Sequence, residues 1–223
     1  MQGYAGVSKM TTSNNPIRCP KCQGELAEAS NFCPDCGEPI EAVVFADKNL
    51  EAAVRVELGI PEGTLTRENL KRLDKLTTNI EGKPSQLEFI VKDLLGLEHA
   101  VNLTKVNIIY GQISDLSPLS LLTNLTFLGL PSNIISDISP LASLTNLKDG
   151  LVLSDNLITD ISPLASLPNL TALLLSDNQI IDISPLALIA KLDYLELATN
   201  PLNREAIDVY APILESKGVG VNL

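Results

Sequence analysis

From residue 103 onward the chain is written in a 22-residue period, and no other feature limits its fold as much. Residues 103–124 read LTKVNIIYGQISDLSPLSLLTN, residues 125–146 LTFLGLPSNIISDISPLASLTN, and residues 170–191 LTALLLSDNQIIDISPLALIAK. Residues 147–169 carry the same unit with one residue more, and a partial copy, LDYLELATNPL, follows over 192–202. Ahead of them, IVKDLLGLEHAVN over 90–102 echoes the second half of the unit. A unit this short cannot enclose an apolar face by itself. Copies must stack, each burying its aliphatic side chains against the next, and the outcome is an elongated array with one continuous interior.

The LxxLxL stretch alternates apolar and variable positions, the pattern of a short strand. Leu128 and Leu130 are expected to point inward, as are Leu151 and Leu153, then Leu173 and Leu175. Successive strands lie side by side, ~4.8 Å apart, and build a parallel sheet. Asn133, Asn156, Asn178 and Asn200 follow the strands, where a buried amide can satisfy backbone groups left unpaired by the bend. Gly111 takes that place in the first full repeat, so the asparagine ladder begins one repeat late. Each unit returns through Asp-(Ile/Leu)-Ser-Pro-Leu. Ser before Pro suggests an N-cap followed by Pro at the first helical position, in a segment short enough to be 3₁₀. Asp115, Asp137, Asp160 and Asp182 recur once per unit and are therefore read as structural, not as acid/base pairs.

The period and the LxxLxLxxN core resemble leucine-rich repeats, and the 22-residue form with its DISPL element resembles the bacterial internalin-type class. It is also similar to the class found in regulatory subunits of protein phosphatases. The resemblance covers roughly residues 42–223. It implies an α/β solenoid with a parallel sheet on a concave face, short 3₁₀ segments on the convex side, a helical N-terminal cap, and partner binding by the concave face.

The flanks divide around that array. Residues 1–16 are polar and read as a flexible tail, and 17–41 form a small zinc ribbon. Residues 42–102 are assigned to the helical cap and a degenerate first repeat, 103–202 to the repeats, and 203–223 to a C-terminal cap. Asp47 can cap a helix towards Leu58 that Gly59 and Pro61 end. Thr66 can cap a second helix with Leu70, Leu73 and Leu76 on one face; 79–88, with Gly82 and Pro84, reads as a loop. After Asn203 a helix is expected that Pro212 must kink or split, and VGVNL can add an edge strand.

Cys19-Pro-Lys-Cys22 and Cys33-Pro-Asp-Cys36-Gly37 are two CxxC knuckles separated by ten residues. Four thiolates on two tight turns can surround one metal ion tetrahedrally, and the stretch resembles the compact zinc-ribbon knuckles of bacterial and archaeal proteins. Zinc is the expected ion, with rubredoxin-like iron the competitor. A four-thiolate shell leaves no open position for hydrolysis, so the role is structural or docking.

Charge and composition narrow the function classes. A formal net charge of −11 and the absence of any Lys/Arg cluster argue against nucleic acid and anionic membrane surfaces. No apolar stretch reaches the length of a membrane span, and the N-terminus lacks a signal-peptide core, so a cytoplasmic location is expected. His99 is the single histidine, no phosphate-binding loop is present, and no catalytic constellation can be assembled, so the chain is read as non-enzymatic. Partner-binding positions are expected on the outward side of the strands: Ile109, Tyr110, Phe127, Gly129, Val152, Leu174, Tyr194 and Glu196. Among them, Phe127, Val152, Leu174 and Tyr194 would make an apolar stripe crossed by aromatics, a common mark of a protein or peptide interface. Two alternatives stand beside this reading: a metal or redox sensor built on the four cysteines, and a surface adhesin resembling internalins.

Overall fold

The structure is a computed structural model that describes residues 19, 21–22, 24–25, 32–37, 41–78 and 90–223. The tail expected over 1–16 and the loop expected over 79–88 lie outside the described residues. Seven three-residue strands form one parallel sheet in chain order: β1 (Lys75–Thr77), β2 (Lys105–Asn107), β3 (Phe127–Gly129), β4 (Gly150–Val152), β5 (Ala172–Leu174), β6 (Tyr194–Glu196) and β7 (Gly220–Asn222). Opposite the sheet run 3₁₀ segments at Ser117–Leu121, Ser139–Ser143, Ser162–Ser166 and Ser184–Leu188. Between the two layers lies the leucine and isoleucine interior. Leu128, Leu130, Leu151, Leu153, Leu173 and Leu175 are completely buried, as the alternation requires. Each such side chain contributes ~1.5–3 kcal/mol of apolar burial.

Register is kept through the longer third repeat. Its extra residue sits just before β4, where the amides of Lys148 and Asp149 both donate to the Thr126 carbonyl. Leu128 then still pairs with Leu151 and the interior is undisturbed.

The asparagine ladder does what its position demands. Asn156 Oδ1 accepts from the Ile135 amide at 3.0 Å, and its Nδ2 donates to the carbonyls of Leu130 and Leu153, each at 3.0 Å. Asn133, Asn178 and Asn200 repeat the pattern. Gly111 cannot be replaced by another asparagine, because a Cβ there would run into Asn133 Oδ1 and the Val91 carbonyl.

Three expectations are corrected. The second helix, α2, is only Arg67–Leu70; Leu73 leads into β1 and Leu76 lies on it. A three-residue leucine spacing is also how each repeat descends from its 3₁₀ turn into its strand, as Leu119, Leu122, Leu125 and Leu128 do. The Leu73 amide bonds the Leu70 carbonyl just as the Leu125 amide bonds that of Leu122. Second, serine does not occupy the cap position of the 3₁₀ turns: that residue is Leu116, Ile138, Ile161 or Ile183, which offers no side-chain cap, and the aspartate one place earlier takes the first amide. Asp115, Asp137, Asp160 and Asp182 each accept the amide of the serine two residues on, at 2.8 Å. That serine is already the turn's first residue, and in three of the turns its hydroxyl also donates to the same carboxylate. Third, the break expected at Pro212 takes the form of a change in helix type just ahead of it. A π-helical turn, Ala206–Tyr210, widens the chain ahead of α3 (Ala211–Ser216), and the Ala211 amide bonds the Ala206 carbonyl five residues back. The wider turn carries the helix across a residue that has no N–H.

The remaining end elements match expectation. Helix α1 spans Lys48–Leu58; Asp47 accepts from the amides of Asn49 and Leu50, and Gly59 closes it in the left-handed conformation. Asp47 also accepts the Lys92 amide at 2.7 Å, tying the cap to the first coil. Asn203 Oδ1 accepts the Ala206 amide, and β7 pairs with β6 as the last strand of the sheet.

Candidate protein-binding face and cysteine cluster

Because the central residue of every strand points inward, the first and third residues point out. The register then sorts them into two columns across β3–β6. One column reads Phe127, Gly150, Ala172, Tyr194; the other reads Gly129, Val152, Leu174, Glu196. The four apolar residues expected to form a single stripe therefore divide. Val152 and Leu174 are side by side in one column, both half-buried. Phe127 and Tyr194 occupy the other, with the small Gly150 and Ala172 between them. The Phe127 ring lies over two glycines: a Cβ on Gly129 or Gly150 would stand 3.2 or 3.6 Å from it. Tyr194 likewise leans over the glycine of the following strand, Gly220. The aromatics thus flank a shallow apolar floor.

Glu196 belongs to the same face. Ser176 Oγ donates to its Oε1 at 2.9 Å, and the Tyr194 hydroxyl lies 3.4 Å from its Oε2. Ile109 and Tyr110 stand beside this floor, at the bend that leaves β2. Ile109 is half-buried, and Tyr110 is exposed with a φ of +56°. That conformation recurs at Ser132, Asp155, Asp177 and Thr199, the residue before each ladder asparagine. The left-handed residue turns the chain so that the asparagine can point inward.

A second asparagine ladder escaped the sequence reading. Asn124, Asn146 and Asn169 each donate through Nδ2 to a carbonyl of the preceding coil, at 2.9, 2.8 and 3.1 Å, and Asn102 does the same to Lys71. The recurring Asn at the end of each unit was its signal. Unlike the inner ladder, it is exposed to water.

The knuckles bring their four sulfurs together. Cys19 and Cys36 Sγ are 3.6 Å apart, Cys22 and Cys33 Sγ 3.5 Å, and all four lie within 4.8 Å of one another. A tetrahedral ion with Zn–S bonds of ~2.3 Å requires sulfurs about 3.8 Å apart, so the set fits such an ion. Cys19 and Cys33 are buried, Cys22 and Cys36 exposed. Gly37 turns the second knuckle with φ +71°, and its amide donates to the Cys33 carbonyl. Gly24 of the first knuckle admits the Asp35 carboxylate of the second where a Cβ would collide.

Crowded sulfurs cannot all ionise without a cation. The Cys22 amide lowers Cys19 most; burial opposes it, and the Lys21 amide with the neighbouring thiols of Cys36 and Cys22 bring the thiol to about 7. At Cys22 the Gly24 amide acts downward, but the sulfurs of Cys36, Cys33 and Cys19 together with burial outweigh it and push the thiol up to about 12. A bound divalent ion would remove this conflict by neutralising the shared charge.

Stacked coils, a parallel sheet and an inner asparagine ladder define a leucine-rich-repeat solenoid. A family model for leucine-rich repeats, in two copies, matches residues 123–166 and 149–188. Among solved structures, an internalin (inlF) from Listeria monocytogenes is 27% identical over 80% of this chain and 56% of its own, with a TM-score of 0.60. Internalin C2 (inlC2) from the same species is 29% identical over 80% of this chain and 83% of its own, TM-score 0.57. A leucine-rich-repeat protein from Leptospira interrogans shares the fold at 22% identity, covering 60% of this chain and 35% of its own, TM-score 0.55. The chain thus carries leucine-rich repeats and is similar to internalins, spanning 56% of the length of the first internalin it matches. No curated protein matches the chain. Proteins of this kind generally mediate protein–protein interaction and are typically non-enzymatic. Among the described residues, no helix is long and apolar enough to cross a membrane.

Proposed function

We propose that the protein is a non-enzymatic interaction module that holds a protein or peptide partner on the outward face of its strands. One observation carries this reading. Val152 and Leu174 stand half-buried beside each other, flanked by Phe127 and Tyr194, at positions where the solenoid itself requires no apolar side chain. Burying such a floor under a partner is favourable, and aromatics at its edges are suited to anchoring one. Cys19, Cys22, Cys33 and Cys36 hold a structural zinc ion that folds the N-terminal ribbon, and the ribbon supports or docks beside the interaction module. Four cysteines without a disulfide suit a reducing compartment, which favours the cytoplasm.

The test is affinity capture from native lysate with the full chain and with a Phe127→Asp/Tyr194→Asp variant, read by mass spectrometry. Both side chains point away from the interior, so the variant retains its circular dichroism. The expected result is loss of the proteins captured by the original chain. Undiminished recovery rules out this surface.

The exposure of Cys22 and Cys36 favours a second reading, in which an oxidant reaches the cluster and releases its ion as a signal. Release of zinc by micromolar peroxide, reversed by a thiol reductant, supports that reading; an inert ion removes it.

A further inference from the structure

Building on the reading that this face binds a partner, we infer that its occupant is a segment of a basic protein laid across β4, β5 and β6, with an apolar side chain over Val152 and Leu174 and an arginine or lysine at Glu196. Glu196 is half-buried, and the hydroxyls of Ser176 and Tyr194 hold its carboxylate in one orientation. Among the described residues no lysine or arginine lies within ion-pair distance of it. A carboxylate that has lost part of its hydration and gained no cation is satisfied by an arriving one. The Tyr194 ring beside it offers a cation a π face as well.

The charge around Glu196 has the same sign. Asp155 and Asp177 are exposed at consecutive bends, and the Asp177 amide bonds the carbonyl of Ala198, two residues beyond Glu196. The basic residues of the outward columns, Lys75 and Lys105, stand at the other end of the sheet, and Lys105 already faces Asp149 at 3.7 Å. With a net charge of −11 on the chain, the long-range field draws a basic partner and repels nucleic acid.

Spacing sharpens the recognition pattern. Strands ~4.8 Å apart put Leu174 one step and Val152 two steps from Glu196, and an extended chain advances ~3.3 Å per residue. The basic residue therefore lies two or three residues from the apolar one.

Panning a phage-displayed library of random twelve-residue peptides on the immobilised full chain tests this, with synthetic versions of the winners measured by fluorescence anisotropy. The expected winners carry Arg or Lys two or three residues from an aliphatic or aromatic residue. Their affinity falls about tenfold on Glu196→Gln, is unchanged on Lys105→Gln, and weakens as salt is raised. Leu174→Asp, or Val152→Ser should the former not fold, reports whether they sit on this face. Peptides that depend on those positions but lack a basic residue, or bind Glu196→Gln as tightly, overturn the basic-partner inference and leave the interaction reading standing. A panning that yields no peptide sensitive to those positions overturns both.

Discussion

Replacing Asn156 by alanine isolates what the inner ladder contributes. The Asn156 side chain is the acceptor for the Ile135 amide, whose only hydrogen bond among the described residues is this one. The carbonyls it serves are in a different position. Leu130 O also receives Asn133 Nδ2, and Leu153 O also receives Asn178 Nδ2. The substitution therefore orphans one fully enclosed N–H and removes second bonds from two carbonyls. An unsatisfied buried donor costs ~1–3 kcal/mol and each lost neutral bond about 1 kcal/mol at most, so the total is about 2–4 kcal/mol. Asn146→Ala is the matched control: one bond, Nδ2 to the Thr123 carbonyl at 2.8 Å, exposed to water that can replace it. Its cost is about 0.5 kcal/mol. Urea unfolding followed by far-UV circular dichroism separates the two, and thermal melts show the larger loss as a drop of roughly 6–12 °C. Equal destabilisation by the two substitutions, or a cost below ~1 kcal/mol for Asn156→Ala, refutes the assignment of the inner ladder as the element that seals the coils.

Thr199 holds a β-branched side chain at φ +62°, where the equivalent residues of two repeats are aspartate. Thr199→Asn should raise stability by about 0.5–1 kcal/mol in the same urea assay, since asparagine tolerates the left-handed region. Gly111→Asn should not extend the ladder; the collision with Asn133 and Val91 should cost ~1–3 kcal/mol instead, read from the urea midpoint. Zinc should bind one per chain, with tetrahedral sulfur coordination by X-ray absorption, and Cys33→Ser should abolish it. Its affinity should fall steeply on acidification. Thiols at about 7 and about 12 must lose protons to bind the ion, so lower pH favours the proton and higher pH the metal. Removing zinc with a chelator should collapse the amide resonances of residues 19–37 and leave those of the repeats in place.

Much of the fold was legible because stacking forces it to be written repeatedly. The inward leucines, the asparagines after each strand, the Ser-Pro-Leu turns and the paired knuckles all recur, and recurrence separates a structural requirement from coincidence. The misreadings come from positions where two structures share one spacing. Leu70, Leu73 and Leu76 satisfy both a helix face and the descent into a strand, and only the neighbouring coil, which pairs Leu76 with Val106, decides between them. Asp137 and Ser139 are both capping residues, and the choice turned on which of them starts the turn. Pro212 was judged against an α-helix, whereas a π turn offers the chain another way past a missing donor.

The candidate site is harder to read for a reason that follows from the same stacking. Inward positions are constrained by the next coil, so they repeat; outward positions are not needed to seal the stack, so they differ. Phe127, Gly150, Ala172 and Tyr194 occupy one column of a periodic sheet and share no property except their place in it. The sequence reading put Phe127, Val152, Leu174 and Tyr194 on one stripe, because the first and third residues of a strand both point outward and alternation alone does not tell the two columns apart; only the strand register does. Once the register is known, the large-small-small-large order of one column and the apolar-apolar-acid order of the other become visible together. In a solenoid, departures from the repeat on the outward face are the residues that stacking does not dictate, and they are the positions on which the proposed partner would act.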